Sequence, residues 1–199
     1  TTVYTMYMYY GNASVAPATY LEMVSLYSGL EGYWTGNESS WNGTSGEVKD
    51  SSVNGNNGTS SGGITTTSAK YSSSGDWDST DDSVTMGSPT VVDNLPANGM
   101  TLSTWIFPDT LGQSGVGFIT SKNTGSGQNQ GWFLLNYTNN TLQFVVDGST
   151  DLVVQTSNDS ITLGAWNHIV LSWDGNITTA NSVRIYVNGR EVGYQVQTN

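Results

Sequence analysis

Ten short runs of aromatic and β-branched residues, each bounded by Gly, Asn, Asp or Pro, limit what this chain can become: VYTMYMYY, GYW, SVTM, TLSTWIF, VGFITS, GWFLLNY, TLQFVVD, DLVVQT, WNHIVLSW and SVRIYVNG. Runs of this length and composition suit pleated, half-buried surfaces. So many of them in one chain predict an all-β sandwich or barrel. Within TLQFVVD, Leu142, Phe144 and Val146 alternate with Thr141, Gln143 and Val145, the period of a sheet with one wetter face. Asp147-Gly148 and Asn188-Gly189 supply the positive φ values that tight hairpins need. One segment, TYLEMVSLYSG, has helical spacing through Tyr20, Met23, Val24 and Tyr27, with Gly29 as its stop. Residues 35–75, where Ser, Gly, Asn and Thr crowd out apolar side chains, are expected to be the least ordered stretch.

Charge excludes several partners. The formal net charge is -11, with only five Lys and Arg, so the basic stripe that nucleic acid requires is missing and anionic membranes are disfavoured. No apolar run approaches the roughly 20 residues of a transmembrane helix. The opening TTVYTMYMYY carries no initiator Met or signal peptide and reads as a mature or excised segment. With zero Cys, disulfides, thiolate metal sites and thiol catalysis are excluded. Asn-X-Ser/Thr sequons occur at Asn12, Asn37, Asn42, Asn57, Asn136, Asn139, Asn158 and Asn176, a mild excess over chance. Either these are Asn-rich turns, or the chain is an extracellular glycoprotein with sugars at several of them.

In order along the chain, GLEGYW (29–34), VKDSSVNGNNGT (48–59), DWDSTDDSVTM (76–86), MTLSTWIFP (100–108), FITSK (118–122), AWNHIVLSWDG (165–175) and VRIYVNGREVG (183–193) resemble a LamG-like jelly roll of the concanavalin A-like lectin/glucanase superfamily. The resemblance implies an antiparallel jelly-roll β-sandwich over residues 29–199, preceded by a strand and short helix at 1–28. YMYYGNAS (7–14) is similar to the closing strand of an uncharacterised domain that precedes LamG modules in prokaryotic surface proteins. A LamG-like domain normally continues beyond YVNGREVG with further strands, and this sequence stops at Asn199 without them. The resemblance therefore implies a gap in the sandwich. It would be filled by residues 1–10 in cis, by a strand from another copy, or by sequence outside the segment.

The resemblance also bears on sites. In LamG-like relatives the loop equivalent to Asp50–Thr59 often helps hold calcium, which here would use Asp50, Asn54 and Asn56. A plain turn built on Asn54-Gly55 and Asn57-Gly58 is the competing reading. For sugar, Trp41 in the polar segment ESSWNGTSG is the candidate platform, unless it plugs the sandwich edge. Trp34, Trp105, Trp132, Trp166 and Trp173 lie in strand runs and are expected in the core, while Trp77 fits either place. Catalysis is not expected. The superfamily's E-x-D-x-x-E strand is missing, His168 suits a hydrogen-bonded sheet position, and Asp81 and Asp82 suit a turn opening a strand. The expectation is a non-enzymatic, secreted structural or adhesive subunit of a microbial cell-surface assembly, a homo-oligomer or filament. The alternative is a carbohydrate-binding module of a larger secreted protein.

Overall fold

The computed structural model describes residues 29–87, 99–123, 131–147 and 150–198. The expected strand VYTMYMYY, the helix expected over residues 19–29 and the sequon at Asn12 therefore lie outside the described residues, apart from Gly29. So does Gly148 of the expected Asp-Gly turn.

The N-terminal region, residues 29–87, is a polar layer with its own small core. β1 (Thr59–Ser61) pairs antiparallel with β4 (Ser83–Thr85), and β2 (Thr65–Ser68) forms a hairpin with β3 (Ser73–Asp76). Trp41, Val48 and Ile64 are buried together, with Trp34 and Val84 packed against them. This stretch differs from the expected low order. A handful of apolar side chains suffices because the buried Asp50 carboxylate and Ser60 hydroxyl, with half-buried Glu38 and Glu47, hold the surrounding loops. The turn after β1 depends on Gly62 (φ +87°), where a Cβ would lie 2.5 Å from the Asp81 carbonyl oxygen. The GYW run contributes only a single bridge, Trp34 to Asp50.

The rest is the predicted sandwich. β5 (Met100–Ile106), β6 (Gly117–Asn123), β7 (Gly131–Tyr137), β8 (Thr141–Asp147), β9 (Leu152–Thr156), β10 (Asn167–Trp173), β11 (Arg184–Val187), β12 (Arg190–Glu191) and β13 (Tyr194–Thr198) form two antiparallel sheets. Their orders are β12-β11-β10-β5 and β13-β9-β8-β7-β6. Asn188 (φ 51°) and Gly189 (φ 80°) make the expected hairpin turn between β11 and β12. Beyond Gly193 the chain forms β13, which pairs with β9.

Register decides which side chains meet. Along β10, Asn167, Ile169, Leu171 and Trp173 are buried and alternate with half-buried residues. Leu134, Leu142, Phe144, Leu152, Val154, Ile169, Leu171 and Ile185 are fully buried and form one continuous core between the sheets. Phe144 lies at its centre, its ring 6.4 Å from Trp132 and 5.8 Å from Trp173. The wetter face expected for β8 is less wet than its composition suggests: Thr141 and Val145 are buried, and Gln155 Nε2 donates to Thr141 Oγ1 at 3.0 Å.

Candidate functional site

The loop DSSVNGNNGT folds around one carboxylate. Asp50 is 9% exposed; its Oδ1 accepts the N–H groups of Tyr33 and Ser52, both at 2.8 Å, and its Oδ2 accepts Ser52 Oγ–H and the Asn56 N–H, also at 2.8 Å. Four donors fill the oxygens' in-plane lone-pair positions. Partial burial pushes the Asp50 carboxyl up, but these donors outweigh it and hold the acid below its ordinary range. Asn54 Nδ2 donates to the Leu30 and Glu31 carbonyls at 3.1 Å, and Asn56 Nδ2 donates to the Glu31 carbonyl at 3.0 Å. The three expected calcium ligands do converge on one loop. Yet the carboxylate is ringed by N–H and O–H groups and both amides present donors to the backbone, so in this geometry the loop does not fit a cation that needs free oxygen ligands. Its groups act as a hydrogen-bonded turn that ties residues 30–34 to residues 50–56.

Glu47 has the matching role in the neighbouring loop. Partial desolvation raises its carboxyl, while Ser60 Oγ–H and the N–H groups of Asn42 and Gly43 lower it to about 2. Glu38 takes the Trp41 Nε1–H at 3.1 Å and the Lys49 N–H at 2.9 Å. Trp41 is thus not an exposed platform: it is 8% exposed and packs with Val48 and Ile64 in the small core, rather than over the sandwich edge. Because the folded-state acidities of Asp50 and Glu47 are strengthened, their stabilisation is complete above the ordinary carboxylate range and is lost as pH falls through their folded values. Residues 29–87 are expected to loosen between about pH 4.5 and 2, before the sandwich does; amide hydrogen exchange at Tyr33, Asn42, Gly43 and Asn56 across that range checks it.

His168 sits on the outer face of the four-stranded sheet. Its Nε2 lies 2.9 Å from Ser103 Oγ, and its ring stacks on Trp105 at 4.8 Å. Lys70 Nζ lies 4.5 Å from the Trp105 ring centre and Tyr71 meets it edge-on at 5.8 Å, so the tip of the β2–β3 hairpin docks on this face. Trp105 therefore departs from its expected core place and is 38% exposed, because the register pairs it with His168 on the outward side. Trp132 and Trp173 are buried, Trp34 and Trp166 half-buried, and Trp77 is 51% exposed. Asp78 N–H donates to Asp82 Oδ2 at 2.8 Å and Asp78 Oδ1 accepts the Thr80 N–H at 2.7 Å, the turn that opens β4. Of the seven described sequon asparagines, Asn37, Asn42, Asn57, Asn139, Asn158 and Asn176 are exposed. Asn136, on β7, is buried.

Two surface features were not singled out from sequence. The first is an open side. The chain runs from β12 to β13 across one flank, where the Ile185 N–H of β11 donates to Tyr194 OH at 2.9 Å, so β5 and β6 share the opposite flank. Among the described residues neither β5 nor β6 has a partner on its outer edge. The core-facing Leu102, Thr104 and Ile106 of β5 stay half-buried, as does Ile119 of β6. The second is the outward face of the five-stranded sheet, where Phe118 (66% exposed) meets half-buried Phe133 at 5.7 Å and Gln143 is half-buried, while Leu135, Val145 and Gln155 of the same face are buried. Alternating Phe133, Leu135 and Tyr137 in GWFLLNY was the available signal for an apolar second face.

Two antiparallel sheets around one core, with loops at their ends and no helix of more than one turn among the described residues, define a lectin-like sandwich. A family model described as the concanavalin A-like lectin/glucanases superfamily matches residues 78–199, and the chain belongs to that family. The match begins at Asp78, so it covers the whole sandwich and leaves most of the polar N-terminal layer outside. No curated protein and no solved structure gives a significant match. The fold is that of a carbohydrate-binding or structural module. No described helix is long and apolar enough to cross a membrane.

Proposed function

We propose that this protein is a secreted, non-enzymatic structural or adhesive subunit of a microbial cell-surface assembly, joined to its neighbours by strand exchange into a homo-oligomer or filament. One observation supports the reading: among the described residues the outer edge of β5 has no partner strand, and Leu102, Thr104 and Ile106 there are half-buried, as is Ile119 of β6. Such an edge accepts an added strand through main-chain hydrogen bonds, while alternate side chains of that strand fill the row between the sheets. VYTMYMYY suits that role, being rich in apolar and aromatic residues at both alternating sets of positions. Fully buried side chains such as Met6, Tyr7 and Met8 would contribute roughly 1.5–3 kcal/mol each. A contact of this kind is head to tail and grows into a filament unless its rotation closes a ring. Deleting residues 1–10 is expected to abolish ordered polymer while leaving β-rich circular dichroism; light scattering and negative-stain microscopy check it, and polymer that survives the deletion counts against the reading.

A second reading has its own support. The Phe118–Phe133 pair, with half-buried Gln143 on the same face, offers an apolar ring face near an amide, the chemistry that holds a sugar chain. A glycan array separates the two. Specific sugar affinity by a monomer, lost in Phe118→Ala, favours a carbohydrate-binding module, and self-assembly without affinity favours the structural subunit.

A further inference from the structure

We propose that, among the described sequons, Asn42 and Asn176 are the two that carry N-linked glycans. They share a frame that none of the other five has. In each, a carboxylate holds the asparagine backbone N–H: Glu47 Oε2 for Asn42 at 2.7 Å and Asp174 Oδ1 for Asn176 at 2.8 Å. In each, the side-chain Oδ1 accepts both the N–H and the Oγ1–H of the sequon's own threonine. The distances are 3.1 and 2.6 Å at Thr44, and 2.8 and 2.7 Å at Thr178. Both asparagines are exposed, and among the described residues neither Nδ2 is held by a hydrogen bond. The amide is thus fixed through its oxygen, and its nitrogen is left to react.

The other sequons are compromised at an identifiable atom. Asn136 is 6% exposed, its Nδ2 donates to the Thr110 carbonyl at 3.4 Å, and its side chain lies against Gly117, leaving no room for a sugar. The sequon of Asn139 ends in Thr141, whose side chain is fully buried and whose hydroxyl donates to the Thr138 carbonyl at 3.0 Å. At Asn57 the Oδ1 is taken by the Asp50 N–H at 3.0 Å, and Thr59 Oγ1 accepts the Gly46 N–H at 3.0 Å. Ser160, which completes the sequon of Asn158, turns its hydroxyl to the Ser157 carbonyl at 2.6 Å. At Asn37 no bond links the asparagine to Ser39 among the described residues; the Ser39 carbonyl accepts Thr66 Oγ1–H instead. Exposure alone would not separate Asn42 and Asn176 from Asn37 or Asn158, whereas the shared frame does.

The reaction is a group transfer from a glycosyl donor activated as a phosphate or pyrophosphate ester. Asparagine Nδ2 bonds to the anomeric carbon, and the bond from that carbon to the phosphate oxygen breaks. The phosphate leaves with the electron pair, and one Nδ2 proton passes to a base of the transferase. Each modification places a large polar group on a surface loop, which needs an acceptor nitrogen clear of the fold. The inference does not rest on the filament reading.

The test is to secrete the full chain from a host with N-glycosylation machinery and read occupancy in the folded fraction by glycopeptide mass spectrometry, after enzymatic deglycosylation in heavy-oxygen water. Occupancy at Asn42 and at Asn176 is expected to exceed that at each of Asn37, Asn57, Asn136, Asn139 and Asn158 by about threefold or more. The N42Q/N176Q variant is expected to lose most of the sugar mass contributed by the seven sites while keeping the same circular dichroism. Equal or higher occupancy at any of the other five overturns the proposal. So does a chain bare at both asparagines while a control glycoprotein from the same culture is modified.

Discussion

Asp50→Ala is expected to destabilise the N-terminal layer by about 3 kcal/mol or more, and by the same amount with calcium or with EDTA. The substitution strands the backbone N–H groups of Tyr33, Ser52 and Asn56, which all converge on this 9%-exposed side chain, and removes the acceptor of Ser52 Oγ–H. Charge-assisted bonds are stronger than neutral ones, and unpaired buried donors keep their desolvation cost. Asp50→Asn should recover some of the loss, since its one carbonyl oxygen can still accept two of the four donors. The effect should be local, appearing as faster proteolysis and exchange across residues 29–58 while the sandwich holds. A calcium-bound loop behaves otherwise: the wild type would gain stability as RT ln(1 + [L]/Kd), about 2.7 kcal/mol at a hundredfold excess over Kd, and EDTA would remove it. A melting temperature that rises with calcium and falls with EDTA would reject the turn assigned to Asp50.

Phe144→Ala is expected to cost about 3–5 kcal/mol of sandwich stability, the range for truncating a fully buried aromatic residue. Phe144 is 0% exposed and wedged between Trp132 and Trp173, so neither sheet can close over the vacancy without moving an indole. Against the 5–15 kcal/mol of a typical domain, such a loss leaves the variant close to unfolding. Phe144→Leu should lose far less, because it keeps most of the volume. Urea titration followed by tryptophan fluorescence measures both. A small loss in the alanine variant would mean that the two sheets do not share this core.

These two residues illustrate what the sequence made legible. Phe144 was readable because alternation in TLQFVVD is dictated by the pleat, and the sheet that forms from it obeys the same period of two. The Asn188-Gly189 turn was readable because few residues other than Gly, Asn and Asp occupy positive φ comfortably. Asp50 was readable as part of a loop, with a turn and a cation site both left open. Whether a carboxylate faces a cation or a ring of N–H groups depends on where residues 30–34 pass, some 17 positions upstream for Tyr33, and local sequence carries no record of that contact. Trp41 and Trp105 show a related limit. The polar neighbours of Trp41 left a platform and a plug both open, and what decides is the small hydrogen-bonded shell that Glu38, Glu47 and Ser60 close around its cluster. Trp105 sits in a strand run, yet its one-residue offset from Thr104 sets it facing outward with His168. The resemblance pointed to a gap after Gly193 and not to β5. That β5 has no outer partner among the described residues follows from the strand order alone, because sequence tells which residues alternate and not which edge is left unpaired.

The assembly claim is tested most directly by electron cryomicroscopy of the full chain after it has been allowed to self-associate. The account predicts ordered polymers in which residues 1–10 of one copy lie along the outer edge of β5 of the next, hydrogen-bonded to its backbone and covering Leu102 and Ile106. Particles that are monomeric, or polymers in which that edge is covered by the copy's own residues, would contradict it.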